Sequence, residues 1–210
     1  MRNKLVLMSG VALIMAGSLA AQETPRFAFE VGAGFTEPVG KAGNELDMGW
    51  HIRGSAGVNF SQYVGAMVQL DYNRMGINSV SLGNLGFPGG DVGIFSATLD
   101  PIIHLTPRGR ADLYIIGGGG LYHWNQEFTA PSVSTLTGFD PFFGFYPVAV
   151  PTTQVLSSYS VNRPGANLGA GIAFGSKWHG KFYAEARYHR IFMTNSYHTD
   201  YIPVSFGFRF

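Results

Sequence analysis

The sequence predicts an all-β protein that folds as an eight-stranded antiparallel transmembrane β-barrel of the up-and-down type. Three observations favour this fold class. Apolar residues alternate with small or polar ones in eight runs, the connections between the runs are alternately short and long, and charged residues make up only 13% of the chain. A typical soluble domain carries about 25% charged residues. The low charge therefore favours a barrel whose outer surface faces lipid.

The last ten residues, Tyr201–Phe210, alternate most regularly. Every second residue is large and apolar, which is the period of a strand with one apolar face. A strand that presents this face to acyl chains pairs its backbone within the barrel and exposes no apolar area to water. The aromatic residues of this face are the candidate assembly signal: Phe206, Phe208 and Phe210.

The N-terminus has the pattern of a secretory signal peptide. Arg2 and Lys4 precede the apolar stretch Leu5–Ala16, and small residues follow. Twelve residues are too few for a transmembrane helix, which needs about 20. We therefore predict a signal peptide at residues 1–20 and a single barrel domain at residues 21–210. The chain contains no cysteine, so disulfides and a lipid anchor on cysteine are excluded.

Eight alternating runs follow the predicted cleavage site. They are Arg26–Thr36, Met48–Phe60, Tyr63–Asn73, Gly93–Leu105, Ala111–Trp124, Ala166–Gly175, Lys181–Phe192 and Tyr201–Phe210. Most contain 10 to 13 residues, which is the length of a strand that crosses a bilayer at a tilt of about 45°. The fifth run is the least regular, because Gly117–Gly120 has no side chains to define its faces. Glycine at these positions indicates that strands approach closely there.

The connections between these runs differ in length on the two sides of the predicted barrel. Three are short: Ser61–Gln62, Thr106–Arg110 and Ser176–Gly180. Four are long: Glu37–Asp47, Arg74–Val92, Asn125–Gly165 and Met193–Asp200. This asymmetry is typical of outer-membrane barrels, which have short periplasmic turns and long extracellular loops. An even number of strands places both termini on the periplasmic side.

Alternation alone leaves open a soluble barrel with its apolar face inside. The composition of the polar face favours the membrane alternative, because glycine, serine, asparagine and threonine outnumber charged residues there. A face in contact with water would carry charges at roughly 25–35% of its positions. Pro101, within the fourth run, predicts a bulge or local break in the pairing, because a closed barrel has no free edge for proline.

Seven charged residues are predicted to point into the barrel: Glu30, Arg53, Asp71, Asp100, Glu185, Arg187 and Arg209. An eight-stranded barrel is only wide enough for its own side chains. Buried charges persist only when they are paired, so we expect Arg209 to reach Glu30 or Glu185, and Arg53 to reach Gln69 or Asp71. This lumen charge network is interpreted as a structural plug, with a gated ion path as the alternative.

The closing strand, the topology and the lumen composition resemble those of the OmpA/OmpX-type class of small outer-membrane barrels. The resemblance covers the whole mature chain. It implies a bacterial outer-membrane location, contact with membrane lipids and lipopolysaccharide, and recognition of the terminal aromatic strand by the outer-membrane assembly machinery. It also implies a structural or surface-interaction role in the cell envelope. Without the signal peptide, acidic residues outnumber basic ones by one, so no nucleic-acid partner is expected.

Catalysis is the main alternative, because some barrels of this size are enzymes that modify lipid A. His189 lies on the same face as Glu185 and Arg187, and Ser196 follows in the last connection. A serine–histidine–acid group must lie within hydrogen-bonding reach. The motif of lipid A deacylases is absent at His189, so we predict no enzymatic activity. A small pore is a third hypothesis for the function. The scattered histidines and the glycine run predict no metal site and no cofactor.

The third long connection, Asn125–Gly165, is the best candidate for function. It spans 41 residues and contains five aromatic residues within eight positions: Phe139, Phe142, Phe143, Phe145 and Tyr146. Exposed apolar clusters mark contact surfaces. The segment is therefore a candidate binding site for an extracellular ligand of unknown identity. The alternative is that these aromatic residues fold onto the barrel rim or enter the outer leaflet.

Overall fold

The computed structural model describes residues 26–176, 180–194 and 197–210, and the predicted signal peptide and Ser196 lie outside these ranges. Eight strands form one closed sheet in chain order. They are β1 (Phe27–Val39), β2 (Gly49–Asn59), β3 (Val64–Gly76), β4 (Gly89–His104), β5 (Ala111–Asp140), β6 (Gly144–Ser176), β7 (Gly180–Phe192) and β8 (His198–Arg209). One 3-10 turn, Ala42–Asn44, follows β1, and one short helix, α1 (Ser79–Leu85), follows β3.

The ring closes through antiparallel pairing of β1 with β8, from Glu30 opposite Arg209 to Val39 opposite Asp200. The last residue takes part in the closure, because Phe210 donates its backbone N–H to Phe29 at 2.8 Å. Every other strand pairs with its two neighbours in the chain. The predicted eight-stranded antiparallel barrel is therefore confirmed. Among the described residues, no helix is both long enough and apolar enough to cross a membrane.

The two faces of the wall are oriented as the sequence predicts. Large apolar side chains along the strands are exposed on the outside, among them Phe29, Val31, Ile52, Val68, Leu70, Leu99, Leu168, Phe206 and Phe208. The alternate side chains point inward and are buried. This arrangement is the inverse of a soluble barrel, and it is stable when lipid surrounds the cylinder.

The largest difference from the predicted elements concerns the third long connection. Instead of an irregular loop, β5 and β6 continue beyond the barrel as a paired ribbon that ends at Asp140 opposite Gly144. A shift in register between Phe128 and Thr129 marks the base of this extension. We call residues 129–155 the hairpin and Phe139–Tyr146 its tip. The period-2 pattern of β-branched residues continues through this segment, so the strands extend until the turn ends them.

The turn at the tip is held by its first residue. The Oδ1 atom of Asp140 accepts hydrogen bonds from the backbone N–H groups of Phe142, at 2.8 Å, and Phe143, at 3.1 Å. Gly144 completes the turn with φ +78°, a conformation that other residues rarely adopt. Aspartate and glycine are therefore the residues that this turn requires.

The expected interruption at Pro101 is a local break without a bulge. Pro101 pairs with Ala66 of β3, but pairing of β4 with β5 stops after Leu99 and resumes at Ile102 in the same register. Proline has no N–H group to donate to the ladder, which explains the gap. A second break, between β7 and β8, lies at Pro203 and was not predicted from the sequence.

The glycine run in β5 lies where two strands and a buried carboxylate leave no room for side chains. A methyl group added to Gly118 would collide with the carbonyl oxygen of Leu99 and would lie 2.6 Å from Oδ1 of Asp100. One added to Gly120 would collide with the carbonyl oxygen of Ala97. The structure thus supports crowding as the reason for glycine at these two positions.

We expect Gly118→Val to reduce the yield of folded barrel sharply, because the new side chain would force β4 away from β5. Gly54→Val is the matched control, since an added methyl group at Gly54 meets no atom within 4 Å. The measurement is the fraction of protein that changes gel mobility between unboiled and boiled samples after refolding in detergent. Equal folded fractions for the two variants would contradict the crowding explanation.

Candidate functional site

Two regions hold the residues that the sequence singles out: the lumen and the hairpin. All seven residues predicted for the lumen charge network are buried inside the barrel. Five of them form one connected cluster: Arg53, Asp71, Asp100, Glu185 and Arg187. The remaining two, Glu30 and Arg209, form a separate pair nearer the chain termini.

Glu185 is the centre of the five-residue cluster. Its Oε1 atom accepts hydrogen bonds from Nη1 of Arg53 and, at 2.5 Å, from Nε of Arg187. Nη1 of Arg187 also donates to Oδ2 of Asp100 at 2.8 Å, and Nη2 of Arg53 lies 3.6 Å from Oδ2 of Asp71. These four ion pairs involve side chains with no exposed area. Each arginine therefore lies between two carboxylates.

The strand register explains only part of this cluster. Arg53 and Asp71 are direct partners in the β2–β3 ladder, so their proximity follows from the register. Arg53 and Glu185 lie on β2 and β7, and Arg187 and Asp100 lie on β7 and β4, which are not neighbouring strands. Those contacts cross the bore of the barrel.

Neutral side chains donate further hydrogen bonds to two of the buried carboxylates, Asp71 and Asp100. Asp100 accepts from Asn167 at 2.9 Å and from Thr98 at 2.7 Å. Asp71 accepts from Gln69 at 3.3 Å and from Asn73 at 3.1 Å. Each of these hydrogen bonds offsets part of the cost of burying a carboxylate, so the neutral residues contribute to the stability of the cluster.

The pair of Glu30 and Arg209 holds the first strand to the last. Nε of Arg209 donates to Oε1 of Glu30, and Ser55 donates to the other carboxylate oxygen at 3.2 Å. The guanidinium group of Arg209 also lies 4.3 Å from the ring centroid of Tyr114. This distance is within the range of a cation–π contact. The pair therefore joins the closing seam of the barrel to the opposite wall.

Apolar layers cover the five-residue cluster at both ends of the lumen. The layer nearer the chain termini consists of Ala28, Met67, Ile102, Tyr114, Ile116, Ala173 and Tyr183. The layer nearer the long connections consists of Leu46, Met75, Ile77, Val92, Ile94, Tyr122, Ile191 and Tyr201. The charges thus lie in a closed compartment between two packed layers.

Sequence reasoning placed His189 on the inward face but did not single out His51, the second buried histidine of the lumen. Nε2 of His51 lies 2.8 Å from Oγ of Ser205, and Oγ1 of Thr36 donates to Asn73 at 2.6 Å and lies 3.2 Å from Nδ1 of His51. His189 lies 3.0 Å from the hydroxyl of Tyr122. Alternation along β2 was a signal that could have found His51, because it lies two positions from the predicted lumen residue Arg53.

Neither histidine is open to a substrate. His51, His189 and Ser205 are at most 1% exposed. Ser196, the serine of the catalytic alternative, lies outside the described ranges. Across residues 26–176, 180–194 and 197–210, no group of three His, Asp or Glu side chains has the arrangement of a metal site.

The predicted contact residues lie at the tip of the hairpin, far from the lumen. Phe142 is 92% exposed and Phe143 is 87% exposed, so these two rings do not fold onto the barrel rim. Phe139 and Phe145 are cross-strand partners with ring centroids 5.1 Å apart. Asp140 is the only charged residue of the hairpin. The hairpin therefore presents an aromatic end with a single negative charge to its surroundings.

The three aromatic residues of the candidate assembly signal lie on the outer face of β8. Phe206, Phe208 and Phe210 are 46%, 53% and 61% exposed, and the ring of Phe208 contacts Phe182 of β7 with centroids 5.7 Å apart. This position is open to lipid and to any protein that approaches the seam between β8 and β1.

The closed ring, the apolar exterior and the charged, filled lumen define a small eight-stranded outer-membrane β-barrel. A model of the family described as "Outer membrane protein beta-barrel domain" matches residues 8–210. The chain belongs to this family, and its location is the bacterial outer membrane. No curated protein matches the chain.

Two solved structures are similar in fold. Neisserial surface protein A, NspA, is 15% identical with a TM-score of 0.59, over 90% of this chain and 98% of NspA. Ail, the attachment invasion locus protein of Yersinia pestis, is 19% identical with a TM-score of 0.50, over 89% of this chain and all of Ail. The Ail structure is a complex with the heparin analogue sucrose octasulfate. At these identities the likeness shows a shared fold.

We expect Glu185→Gln to destabilise the barrel by about 3–5 kcal/mol, because it removes the carboxylate that Arg53 and Arg187 share and leaves the two buried guanidinium groups facing a neutral amide. The measurement is the free energy of unfolding in urea with lipid vesicles. Asp91→Asn is the control. It breaks the partly exposed pair with Arg74, where the atoms are 2.9 Å apart, and should cost less than about 1 kcal/mol. Similar losses in both variants would contradict the proposed role of Glu185.

Proposed function

We propose that this protein mediates contact between the bacterial surface and an external partner through the aromatic tip of the hairpin, and that it is not an enzyme. The observation that carries the proposal is the exposure of Phe142 and Phe143 on a ribbon with a single charge. Monomeric proteins rarely expose contiguous apolar area in water unless it binds something. The length of the hairpin also suits contact with an external partner, since eleven residues at about 3.3 Å each place the tip roughly 36 Å beyond Thr129.

The filled lumen supports an external role over transport or catalysis. Ion conduction would require water to pass both apolar layers and the ion pairs between them. Modification of lipid A would require a reactive group that lipid can reach, whereas the described serine–histidine pair, Ser205 and His51, is sealed inside. The narrow pore and the lipid A-modifying enzyme therefore have less support than surface contact.

The chemistry of the tip favours an apolar or aromatic partner. Ail has been solved with a sulfated ligand, and recognition of sulfate requires clustered basic residues. The hairpin of this chain has no basic residue, and its single charge, Asp140, is negative. We therefore propose a ligand recognised by stacking and burial of apolar area instead of a polyanion.

Three further roles are proposals that follow from the family and the seam of the barrel. Residues 1–20 are a signal peptide that is removed on export, which leaves residues 21–210 as the mature barrel. Phe206, Phe208 and Phe210 are recognised by the outer-membrane assembly machinery. Membrane lipids and lipopolysaccharide cover the apolar exterior.

Replacing Phe142, Phe143 and Phe145 together with serine should abolish adhesion of cells that display the protein, because the apolar contact area at the tip is lost. The measurement is retention of these cells on immobilised extracellular matrix and on an apolar surface. Replacing Val155, Leu156 and Tyr159 with serine is the control, since it removes exposed apolar side chains near the hairpin base. Undiminished adhesion of the tip variant, with normal surface display, would refute the proposal.

A further inference from the structure

We propose that the β5 edge of the hairpin, Val133–Phe139, pairs in antiparallel fashion with the same segment of a second copy of this chain. The inference goes beyond the proposed function, because it names a partner that binds the edge of the hairpin instead of its tip. It is carried by the backbone of the two hairpin strands and not by the aromatic tip.

Among the residues that the structure describes, no strand pairs with either edge of the hairpin. The pairing of β4 with β5 ends at Gly89 opposite Thr129, and the pairing of β7 with β6 ends at Ile191 opposite Gly165. Beyond these points β5 and β6 pair only with each other. An unpaired edge presents a row of free backbone N–H and C=O groups that another strand can join.

Prolines make the two edges unequal. Pro131 on β5 lies opposite Thr153, and Pro147 and Pro151 on β6 lie opposite Thr137 and Val133. Proline lacks an N–H group, so these pairs mark the positions where backbone amides point away from the partner strand. All three prolines have odd residue numbers. The amides of odd-numbered residues therefore point outward on both strands, as the alternation along an antiparallel ladder requires.

The outward amides of the β6 edge are therefore interrupted at Pro147 and Pro151. On the β5 edge four consecutive outward positions keep their donors: Val133, Thr135, Thr137 and Phe139. The usual protection of exposed edges by lysine is absent from both strands of the hairpin, because Asp140 is its only charged residue. Proline thus blocks one edge, while the other remains open over seven residues.

The open segment is complementary to itself. With Leu136 opposite Leu136 of a second copy, Val133 lies opposite Phe139 and Thr135 lies opposite Thr137. Both pairs join residues with outward-pointing amides, and each occurs twice by symmetry. Since a hydrogen-bonded pair exchanges two N–H···O bonds, the two copies exchange eight backbone hydrogen bonds. Pairs of threonine with threonine and of aromatic with β-branched residues are favourable across antiparallel strands. Pro131 and Pro141 lie at equal distances from Leu136 and limit the pairing at both ends.

The symmetry of this pairing sets the arrangement of the two barrels. The two-fold axis passes midway between the two copies of Leu136 and is perpendicular to the strands. The barrels therefore lie at opposite ends of a four-stranded sheet. This arrangement suits copies in two facing membranes. The structure thus favours a contact between cells that carry the same protein.

Cross-linking tests the register, because the chain has no native cysteine. In this register residue 136 faces itself at a non-hydrogen-bonded pair, where Cα atoms are about 4.5 Å apart and a disulfide can form. We expect L136C to give a covalent dimer under mild oxidation. The control is V148C, which replaces the cross-strand neighbour of Leu136 on β6. Its two copies would lie about 14 Å apart, three strand spacings, beyond disulfide reach. No dimer for L136C, or equal dimer for both variants, would overturn the register.

Proline substitution tests the edge. Thr135 and Ala149 are cross-strand partners, and the amides of both point outward. T135P removes a donor from the open edge, whereas A149P removes one from the edge that proline already interrupts. Neither should break the hairpin, and boiled and unboiled gel mobility verifies the barrel.

Clustering of phosphatidylcholine liposomes that contain the protein is the measurement, and T135P should abolish it while A149P leaves it unchanged. Failure of the unmodified protein to cluster, or equal behaviour of the two variants, would refute self-pairing. The aromatic tip is intact in T135P. Persistent adhesion of this variant to matrix therefore separates failure of the pairing from failure of the proposed function.

Discussion

The narrow bore is the constraint on which the rest of this structure depends. A ring of eight strands leaves room only for its own side chains, so the inward polar groups must find their partners among one another. Arg53 and Arg187 meet this requirement by reaching carboxylates on strands that are not their neighbours. The barrel wall is therefore held together from inside as well as by its backbone ladder. Apolar layers cover these charges at both ends of the lumen.

The same constraint explains the abundance of glycine on the inner face. The large aromatic rings that point inward need space beside the neighbouring strand, and glycine on that strand provides it. A methyl group at Gly165 would lie 2.6 Å from the ring of Tyr122, and one at Gly171 would collide with Tyr114. Volume inside the barrel is thus divided between a few tyrosines, the ion-paired cluster and positions without side chains. The outer face has no such limit, because lipid adapts to its shape.

The narrow bore does not constrain the hairpin, because its strands extend beyond the barrel. Its strands continue the pattern of the barrel after their neighbours have ended, and their stability comes from mutual pairing. Charge, which normally keeps such ribbons apart, is nearly absent. The position of proline then decides which edge remains competent to pair. A surface of this kind is suited to contact, either through its aromatic tip or through its open edge.

The sequence by itself determined the strand count, the outward apolar face and the inward position of all seven charges, because alternation with period 2 is a local property of the chain. Register also follows partly from sequence, so the contacts of Arg53 with Asp71 and of Arg209 with Glu30 were foreseeable between neighbouring strands. Only the tertiary structure decided that Glu185 lies between Arg53 and Arg187 and that residues 125–165 form a paired ribbon. Contacts across the bore depend on how a closed cylinder brings distant strands together, and no local pattern contains that information.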